Sequence, residues 1–445
     1  MQLTCLGHAF WLLEAGGLRV AMDPVLGTRH TDGLFEILPR RAVDARSLRP
    51  DFVLVSHAHF DHFDVPSLAE LARLDADTPV VTPDPLVAEA CEILGFRTVR
   101  TVAPGTRLEL AGGLSLALTP SRAPDVEWGV LAQDASGAAW NMIDTLLSGP
   151  DDVRQVRDLA CPGRRVDVAL APLQTMREVA LATADFVGFV AGHHRHLLAC
   201  AAAVEARYVV PSAAGDAHAP PFEAMNAWVY PVSAERAERD LAAFAPATRV
   251  LSPSLGEAIT IDRGEVSIGP GRVEIARGPG GDPRVFRPID PAPLVDPNLD
   301  GAEVASMRDR IARWVVEELQ PALDRAAALA GLALVLEVVL PGDRMAFSLR
   351  AGSAPRPGFD AEYDVLNAVA GSMLLDVVEG RRAWYEPLLA GLLRSAVRGC
   401  AVGPGRAERL LVGPMFVYEA IPYRRSTERA ALGRARALAG RSNRL

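Results

Sequence analysis

The sequence predicts a mixed α/β protein in which two β-sheets pack face to face and helices cover their outer surfaces. Short apolar runs that are typical of strands follow one another closely in residues 1–125, and turn residues such as Gly16 and Gly17 separate them. Segments with helical spacing occur among these runs, but strands and helices do not alternate strictly, which argues against a purely parallel sheet. With 445 residues, of which 49% are hydrophobic, the chain can bury a large core and form two domains.

The elements of the N-terminal part follow from the same patterns, taken in chain order. Alternating or continuous apolar residues predict strands at Gln2–Leu6, Ala9–Glu14, Leu18–Met22, Asp51–Ser56, Thr78–Thr82, Arg97–Val102, Thr106–Leu110, Leu114–Thr119, Val126–Leu131, Ala138–Ile143, Val166–Leu170 and Tyr208–Pro211. Helical spacing predicts helices at Val65–Leu74, Pro85–Leu94 and Phe186–Val204.

A stretch rich in Gly and Pro, residues 264–300, is predicted to be a strand pair followed by a linker. It separates a metal-binding catalytic domain, residues 1–263, from a smaller α+β domain, residues 301–445, with a basic tail. In this second domain the pattern predicts helix Val304–Leu329, hairpin Leu332–Leu349, helices Ala361–Glu379 and Trp384–Gly399, and strand Leu410–Glu419. The tail from Tyr423 to Leu445 holds seven Arg and one acidic residue, a run that is usually a solvated helix end.

Composition and charge exclude several classes of protein. The five cysteines are scattered and never form CxxC, which argues against a disulfide framework, a zinc ribbon or a Cys-ligated iron–sulfur cluster. No pattern of a signal peptide and no apolar run of membrane-spanning length occurs, so we expect a cytoplasmic protein without a membrane partner. The net charge of −9 disfavours nucleic acid as a partner.

The segment Ser56–His62, with the sequence SHAHFDH, follows a predicted buried strand. A loop rich in ligands at the end of a rigid strand is a suitable place for a preorganised site. His57 and His59 are two residues apart and can point to one side, while Asp61 and His62 continue the turn. Imidazole and carboxylate suit Zn²⁺, Fe²⁺ or Mn²⁺, and no thiolate is near enough in sequence to decide among them.

The HxHxDH pattern after a buried strand resembles the signature of the metallo-β-lactamase fold superfamily. The opening Leu6-Gly7-His8-Ala9, together with Met22-Asp23-Pro24, is similar to its phospholipase-D-like and sialic-acid-hydroxylase-like branches. The resemblance covers about residues 1–262 and implies an αβ/βα sandwich with metals at one edge, here followed by the α+β domain. The motif is specific for the fold and the metal but says little about the reaction.

The resemblance implies two metal ions, one bound by the first two histidines and a third ligand, the other by Asp61, His62 and a later histidine, with an aspartate between them. The matching residues are His57, His59, Asp61, His62, Asp144 as the bridge and His218 as the last histidine, with Asp216 as its rival. Asp61, Asp144 and His8 are expected to act in catalysis. His8 and Asp23 are expected to orient ligands rather than bind metal.

The third ligand of the first metal is where the sequence departs from the superfamily's pattern. The expected histidine would fall roughly twenty residues before Asp144, and the segment there contains none. Asp125 or Glu127 could supply a carboxylate instead, or the first site is weak or empty. A carboxylate would make the site richer in oxygen and favour iron or manganese over zinc.

Three further histidines, His193, His194 and His196, lie on a predicted helix and fan around its axis, so they cannot converge on one ion. A polar helix face is the simpler interpretation. No phosphate-binding GxGxxG or P-loop occurs in a strand-to-helix context, and no GxSxG nucleophile motif occurs.

Within the superfamily the chain is most similar to the CMP-N-acetylneuraminate hydroxylase branch, but without its Rieske domain. The β-hydroxylase of chloramphenicol assembly looks similar in using a carboxylate as third ligand. The first hypothesis is therefore a di-iron oxygenase that acts on a small or carrier-tethered metabolite, with an external electron donor as partner. The alternatives are a dinuclear Zn or Mn hydrolase of phosphodiester, amide or lactone bonds, and a binding protein that has lost its chemistry.

Overall fold

The computed structural model describes residues 1–123, 126–174, 176–177, 182, 191–286, 293–397 and 423–442. Two sheets pack face to face, with helices on the outer face of each, which confirms the predicted α/β sandwich followed by a smaller α+β unit.

The first sheet has eight strands and carries the N-terminal segments. In spatial order they are Glu265–Pro270, Glu257–Asp262, Gln2–Cys5, Trp11–Ala15, Leu18–Met22, Phe52–Leu54, Val80–Thr82 and Val99–Thr101. The last four strands run parallel to one another, since Leu18–Met22 pairs parallel with Phe52–Leu54 and the pattern continues outward. Their carboxyl ends therefore share one edge of the sheet.

The second sheet has seven strands, which in spatial order are Arg107–Glu109, Ser115–Pro120, Trp128–Gln133, Ala138–Asn141, Val168–Pro172, Tyr208–Ser212 and Arg249–Val250. Leu3, Trp11 and Leu13 from the first sheet meet Trp128 and Val130 from the second in one buried cluster. Apolar side chains from both inner faces thus form the core of the sandwich.

Helices cover the two outer faces of the sandwich. The first sheet is covered by Ala45–Leu48, Val65–Leu74 and Pro85–Leu94, and the second by Pro150–Ala160, Ala191–Ala203 and Ala234–Phe244. Asp64 and Asp84 each cap a helix by accepting a backbone N–H, and a proline follows in the first turn of both helices. The predicted bounds Val65–Leu74 and Pro85–Leu94 are confirmed because these sequence signals are local. Of the predicted helix Phe186–Val204, residues 186–190 lie outside the described residues.

Two small sheets join the edges of the sandwich. Asp216–His218, Phe35–Ile37 and Arg29–His30 form one, and Ile275–Arg277 pairs with Arg41–Val43 in the other. Sequence patterns did not predict the strands between residues 29 and 43. The strand pair predicted within 264–300 is also corrected, because its two strands pair with separate partners instead of with each other.

The C-terminal unit is built around a mixed five-stranded sheet. Its strands in spatial order are Arg356–Pro357, Asp343–Leu349, Leu334–Leu340, Val365–Ala370 and Leu393–Val397, and its helices are Val304–Trp314, Gln320–Arg325, Gly371–Val378 and Tyr385–Leu389. A π-helical turn, Val315–Leu319, joins the first two helices. Trp314, Leu323 and Trp384 lie in its core.

Two predicted helices of this unit are wrong. The segment predicted as helix Ala361–Glu379 begins as strand Val365–Ala370, which pairs parallel with Leu334–Leu340, and becomes helical only at Gly371. The predicted helix Trp384–Gly399 divides into a short helix and strand Leu393–Val397. In both segments the pairing available in the sheet overrides helical spacing. The predicted strand Leu410–Glu419 lies outside the described residues.

A helix from Tyr423 to Ser442, here called the C-terminal helix, returns to the N-terminal half. Ala430, Ala431 and Ala435 share a buried cluster with helices Val65–Leu74 and Pro85–Leu94. This packing crosses the domain boundary predicted at residue 300. No helix among the described residues is long and apolar enough to cross a membrane.

Candidate metal centre

The loop Ser56–His62, here called the metal loop, follows a strand in the interior of the first sheet. Phe52–Leu54 pairs on one side with Leu18–Met22 and on the other with Val80–Thr82, so the start of the loop is fixed. The loop then closes into a tight turn, in which the backbone N–H groups of His62 and Phe63 both donate to the His59 carbonyl, at 3.0 and 2.7 Å. Ligand side chains close in sequence are thereby held at one edge of the sheet.

The first group of ligand atoms comes from His57, His59 and Asp144, whose ligand atoms all lie within 4.8 Å of one another. His57 Nε2 is 2.9 Å from His59 Nδ1. Asp144 approaches from the second sheet, where it follows strand Ala138–Asn141 by three residues. The loops after two strands of different sheets therefore meet at one point.

The second group consists of His8, Asp61 and His62, whose ligand atoms also lie within 4.8 Å of one another. Asp61 Oδ2 lies 3.2 Å from His8 Nε2 and 3.2 Å from His62 Nε2. The two groups adjoin, since His62 Nε2 is also 3.0 Å from Asp144 Oδ2. Asp144 therefore contacts both groups.

Asp23 fixes the orientation of two histidines, one from each group. Its Oδ2 accepts hydrogen bonds from the Ser56 hydroxyl at 2.8 Å and from His62 Nδ1 at 2.9 Å. Because the Ser56 hydroxyl donates its hydrogen to Asp23, its oxygen accepts from His57 Nδ1 at 2.8 Å. The Nε2 lone pairs of His57 and His62 therefore face the ligand groups, as metal ligation requires.

Charges within the two groups favour a bound cation. Burial acts to lower the pKa of His62, but the carboxylates of Asp61 and Asp144 outweigh it and raise this pKa well above its ordinary value. Burial acts to raise the pKa of Asp61, but the charge and hydrogen bonds of His62 hold it well below its usual range. Burial keeps the pKa of His57 well below its ordinary value, so its imidazole stays neutral.

The donor set fits divalent metal ions of the first transition series. Ligand N and O atoms lie about 2.0–2.2 Å from such an ion, so two ligands of one ion are at most ~4.4 Å apart. The 4.8 Å limit within each group is close to that span and needs only small side-chain movements. Each group combines imidazole with carboxylate, a set that suits zinc, iron or manganese.

Glu127, one of the two carboxylates predicted as the third ligand, is not among the ligand atoms of either group, but it lies within electrostatic range of His59 and Asp144. The residue is 5% exposed, and its carboxylate accepts a hydrogen bond from the Ser121 hydroxyl. Burial raises the pKa of Glu127, and the nearby charge of Asp144 adds to this effect while His59 opposes it. Asp125, the other predicted carboxylate, lies outside the described residues.

His218 is not brought into either ligand group. Its Nε2 donates to the Leu389 carbonyl at 2.9 Å, and its ring packs against Phe35 with centroids 4.5 Å apart. Burial lowers the pKa of His218 to about 4, so it is neutral. The rival Asp216 is also outside both ligand groups; burial raises its pKa, and the charge of His8 opposes that rise.

Several residues of the centre were missed or assigned another role from sequence. His8 was expected to orient ligands, whereas the structure places its Nε2 among the ligand atoms of the second group. Ser56 directly precedes the motif, and its position beside His57 was the available signal. His30, whose ring stacks on His8 with centroids 5.6 Å apart, and Tyr385, near His59, are remote in sequence and carried no signal.

The histidines of helix Ala191–Ala203 diverge, as their spacing predicts. His194 Nε2 lies 3.0 Å from Asp240, and His196 Nε2 donates to the Leu147 carbonyl at 3.2 Å. They contribute to neither ligand group.

Comparisons with known proteins agree with this picture. The profile of a family described as beta-lactamase superfamily domain matches residues 2–125. A UPF0173 metal-dependent hydrolase of Opitutus terrae is 30% identical over 190 residues, which cover 39% of this chain and 72% of that protein.

Solved structures with a similar fold include two enzymes. An isothiocyanate hydrolase from Delia radicum gut bacteria is 17% identical, and the superposition covers 59% of this chain and 100% of the hydrolase, with a TM-score of 0.42. CmlA, a diiron beta-hydroxylase from Streptomyces venezuelae, is 17% identical, and the superposition covers 48% of this chain and 44% of CmlA, with a TM-score of 0.35.

Proposed function

This chain belongs to the metallo-β-lactamase superfamily, and we propose that it is a di-iron oxygenase acting on a small or carrier-tethered metabolite. Its metal dependence follows from the superfamily and from the two adjoining ligand groups. The oxygenase assignment is carried by one observation, the buried residue Glu127, whose carboxylate is within electrostatic range of His59 and Asp144.

We assign the first ion to His57, His59 and Glu127, the second to His8, Asp61 and His62, and the bridge to Asp144. Three carboxylates then accompany two dipositive ions, which lowers the net charge and supports iron in its higher oxidation states. His218 is left out of this assignment because its Nε2 donates to a backbone carbonyl.

Each residue has a definable task in this centre. Asp23 and Ser56 hold His57 and His62 in the tautomer that leaves Nε2 free for a metal ion. The Ser121 hydroxyl fixes the carboxylate of Glu127. When bound, a pair of ferrous ions supplies the capacity to activate O₂, and an external donor or the substrate supplies the electrons.

The metal content of the purified chain tests this proposal. Expression in iron-replete medium should give close to two ions per chain, mostly iron, by elemental analysis. Glu127→His should shift the metal selectivity from iron towards zinc, because imidazole replaces a hard oxygen ligand. Glu127→Gln is the matched control, since it keeps the size of the side chain and removes only its charge.

A hydrolase of phosphodiester, amide or lactone bonds is the second candidate. The name of the relative from Opitutus terrae, a metal-dependent hydrolase, favours it. Two ions would then lower the pKa of a shared water that acts as the nucleophile. Stoichiometric zinc in the purified protein, with hydrolysis of a generic phosphodiester that O₂ does not affect, would exclude the oxygenase and support this alternative.

A further inference from the structure

We propose that Tyr385, a residue of the C-terminal unit, is a positioning residue that holds the imidazole of His59 for the first metal ion. The inference rests on the two-ion centre proposed above. The Tyr385 ring lies 6.3 Å from the His59 ring and 6.0 Å from the Phe60 ring, measured between centroids. Such distances are those of interacting aromatic side chains.

The histidines of the metal loop differ in how they are oriented. Hydrogen bonds that start at Asp23 reach His57 through Ser56 and reach His62 directly. Both histidines are almost fully buried, with 1% and 0% exposure. His59 is half-buried and meets an aromatic ring from a distant part of the chain. Ring packing from the C-terminal unit thus acts on His59 in addition to its contact with His57.

The nitrogen that His59 presents to the site makes its ring angle important. His59 directs Nδ1 towards His57 Nε2, 2.9 Å away. Nδ1 is bonded to the ring atom nearest the backbone, and rotation about the bond between Cβ and the ring carries it away from the metal position. That torsion is broad in an unrestrained histidine. A neighbouring ring such as Tyr385 narrows it.

The position of Tyr385 is itself fixed by a buried ion cluster. Tyr385 begins the helix Tyr385–Leu389, here called the roof helix. The next residue, Glu386, is fully buried and receives hydrogen bonds from Arg382 and Arg434, both at 2.9 Å. Burial raises the pKa of Glu386, while the two guanidinium groups oppose this. A buried carboxylate with two cationic partners restrains the start of the helix.

The roof helix is attached to the N-terminal half at both ends. At its start, Arg382 forms an ion pair with Asp32 at 3.2 Å. At its end, the Leu389 carbonyl accepts the hydrogen bond from His218 Nε2 at 2.9 Å. The contact of His218 that removed it from the ligand set therefore helps to hold the helix that carries Tyr385. The C-terminal unit contributes a wall of the metal centre in this way.

Cobalt binding to the metal-free protein separates a positioning role from simple packing. Co²⁺ is titrated into wild-type protein and into Tyr385→Ala, and each binding event is followed by visible absorption, which reports the ligands of the ion. Tyr385→Ala should weaken one of two Co²⁺ sites about 10–100-fold, the range for residues that orient ligands, and leave the other unchanged. Tyr385→Phe should restore both sites, because it keeps the ring.

Two further variants complete the experiment. Tyr363→Ala removes a similar ring that packs on Phe359, away from the metal loop, and should change neither site. Tyr385→Leu fills most of the space without a planar ring, so it replaces Tyr385→Ala if that variant does not fold, and it should show the same selective loss.

The possible outcomes distinguish the two proposals. If wild-type protein binds fewer than two Co²⁺ ions, the two-ion centre is wrong. If wild-type protein binds two Co²⁺ ions and Tyr385→Ala and Tyr385→Leu bind two with unchanged affinity, the positioning role of Tyr385 is refuted while the two-ion centre stands. Equal loss of both sites, or the same loss in Tyr385→Phe, would also overturn the positioning role.

Discussion

At the scale of single residues, Asp144 is a carboxylate that contacts both ligand groups. Its Oδ2 lies 3.0 Å from His62 Nε2, and the same side chain belongs to the group of His57 and His59. Among the residues that the structure describes, the ion pairs of Asp61 are with His8 and His62, both of the second group. Removal of these two carboxylates should therefore have different consequences.

We expect Asp144→Ala to release both metal ions and Asp61→Ala to release only the second. Elemental analysis of the purified variants measures this directly. Asp77→Ala, which removes an exposed carboxylate paired with Arg97, is the control and should keep the wild-type content. Full metal content in Asp144→Ala would show that another group bridges the ions.

The Ser56 hydroxyl offers a second test at this scale. Among the residues that the structure describes, this hydroxyl links Asp23 to His57 by one hydrogen bond to each. Ser56→Ala should weaken the first ion about tenfold or more, because His57 loses the acceptor that fixes its tautomer. His62 keeps its own bond to Asp23, so the second ion should stay. Competition with a chelator of known affinity measures both, and equal weakening of the two ions would contradict this account.

The sequence predicts much of the site at this scale because ligand chemistry is local. His57, His59, Asp61 and His62 lie within six residues, and the turn between His59 and Phe63 brings them to one edge of the sheet. The role of His8 depends on where a different loop places its ring. Tyr385 depends on the packing of a separate unit. Neither can be read from spacing, because no local pattern encodes a contact across the chain.

At the scale of elements, predictions succeeded where an element's own sequence decides its structure. Helix Val65–Leu74 has a capping aspartate, an early proline and apolar residues at helical spacing. The segment Val365–Ala370 has apolar residues compatible with either a helix or a strand. Its parallel pairing with Leu334–Leu340 makes it a strand, a choice that only the assembled sheet determines.

The close approach of two turns gives an element-scale prediction. The turn at Gly112 abuts the hairpin turn at Gly16, and a Cβ on Gly112 would lie 1.9 Å from the Gly16 carbonyl oxygen. Gly112→Ala should lower the free energy of unfolding by about 2–4 kcal/mol, since it combines a left-handed backbone with a clash. Gly113→Ala is the matched control, with a similar positive φ of 74° and open space around it.

Urea unfolding of both variants at fixed metal concentration measures the difference. Gly113→Ala should cost only about 1–2 kcal/mol, the conformational penalty alone. The same loss in both variants would mean that the two turns separate easily and that their contact does not stabilise the sandwich.

At the scale of the whole molecule, the metal ions should add to the stability of the entire fold. The ligands come from loops after strands of both sheets, so bound ions link the two layers of the sandwich. A ligand that binds the folded state and not the unfolded state raises the free energy of unfolding by about 2.7 kcal/mol at a free ligand concentration of 100 Kd. Removal of the metals with a chelator should therefore lower the Tm measured by calorimetry.

The variant Asp144→Ala provides the control for this prediction. If it cannot hold either ion, a chelator should leave its Tm unchanged. An equal decrease of Tm in wild type and variant would instead indicate that the chelator acts elsewhere on the protein.

The route of the C-terminal helix has a consequence for how the enzyme matures. Its alanines pack on the two helices that follow the metal loop, and its Arg434 holds the roof helix in place. This helix ends about 380 residues after the metal loop, which at ribosomal rates of ~5–20 residues per second is a delay of roughly 20–75 s. A nascent chain arrested before residue 423 should consequently hold the second ion more firmly than the first. Metal loading of the first position would then be completed only after translation of the helix.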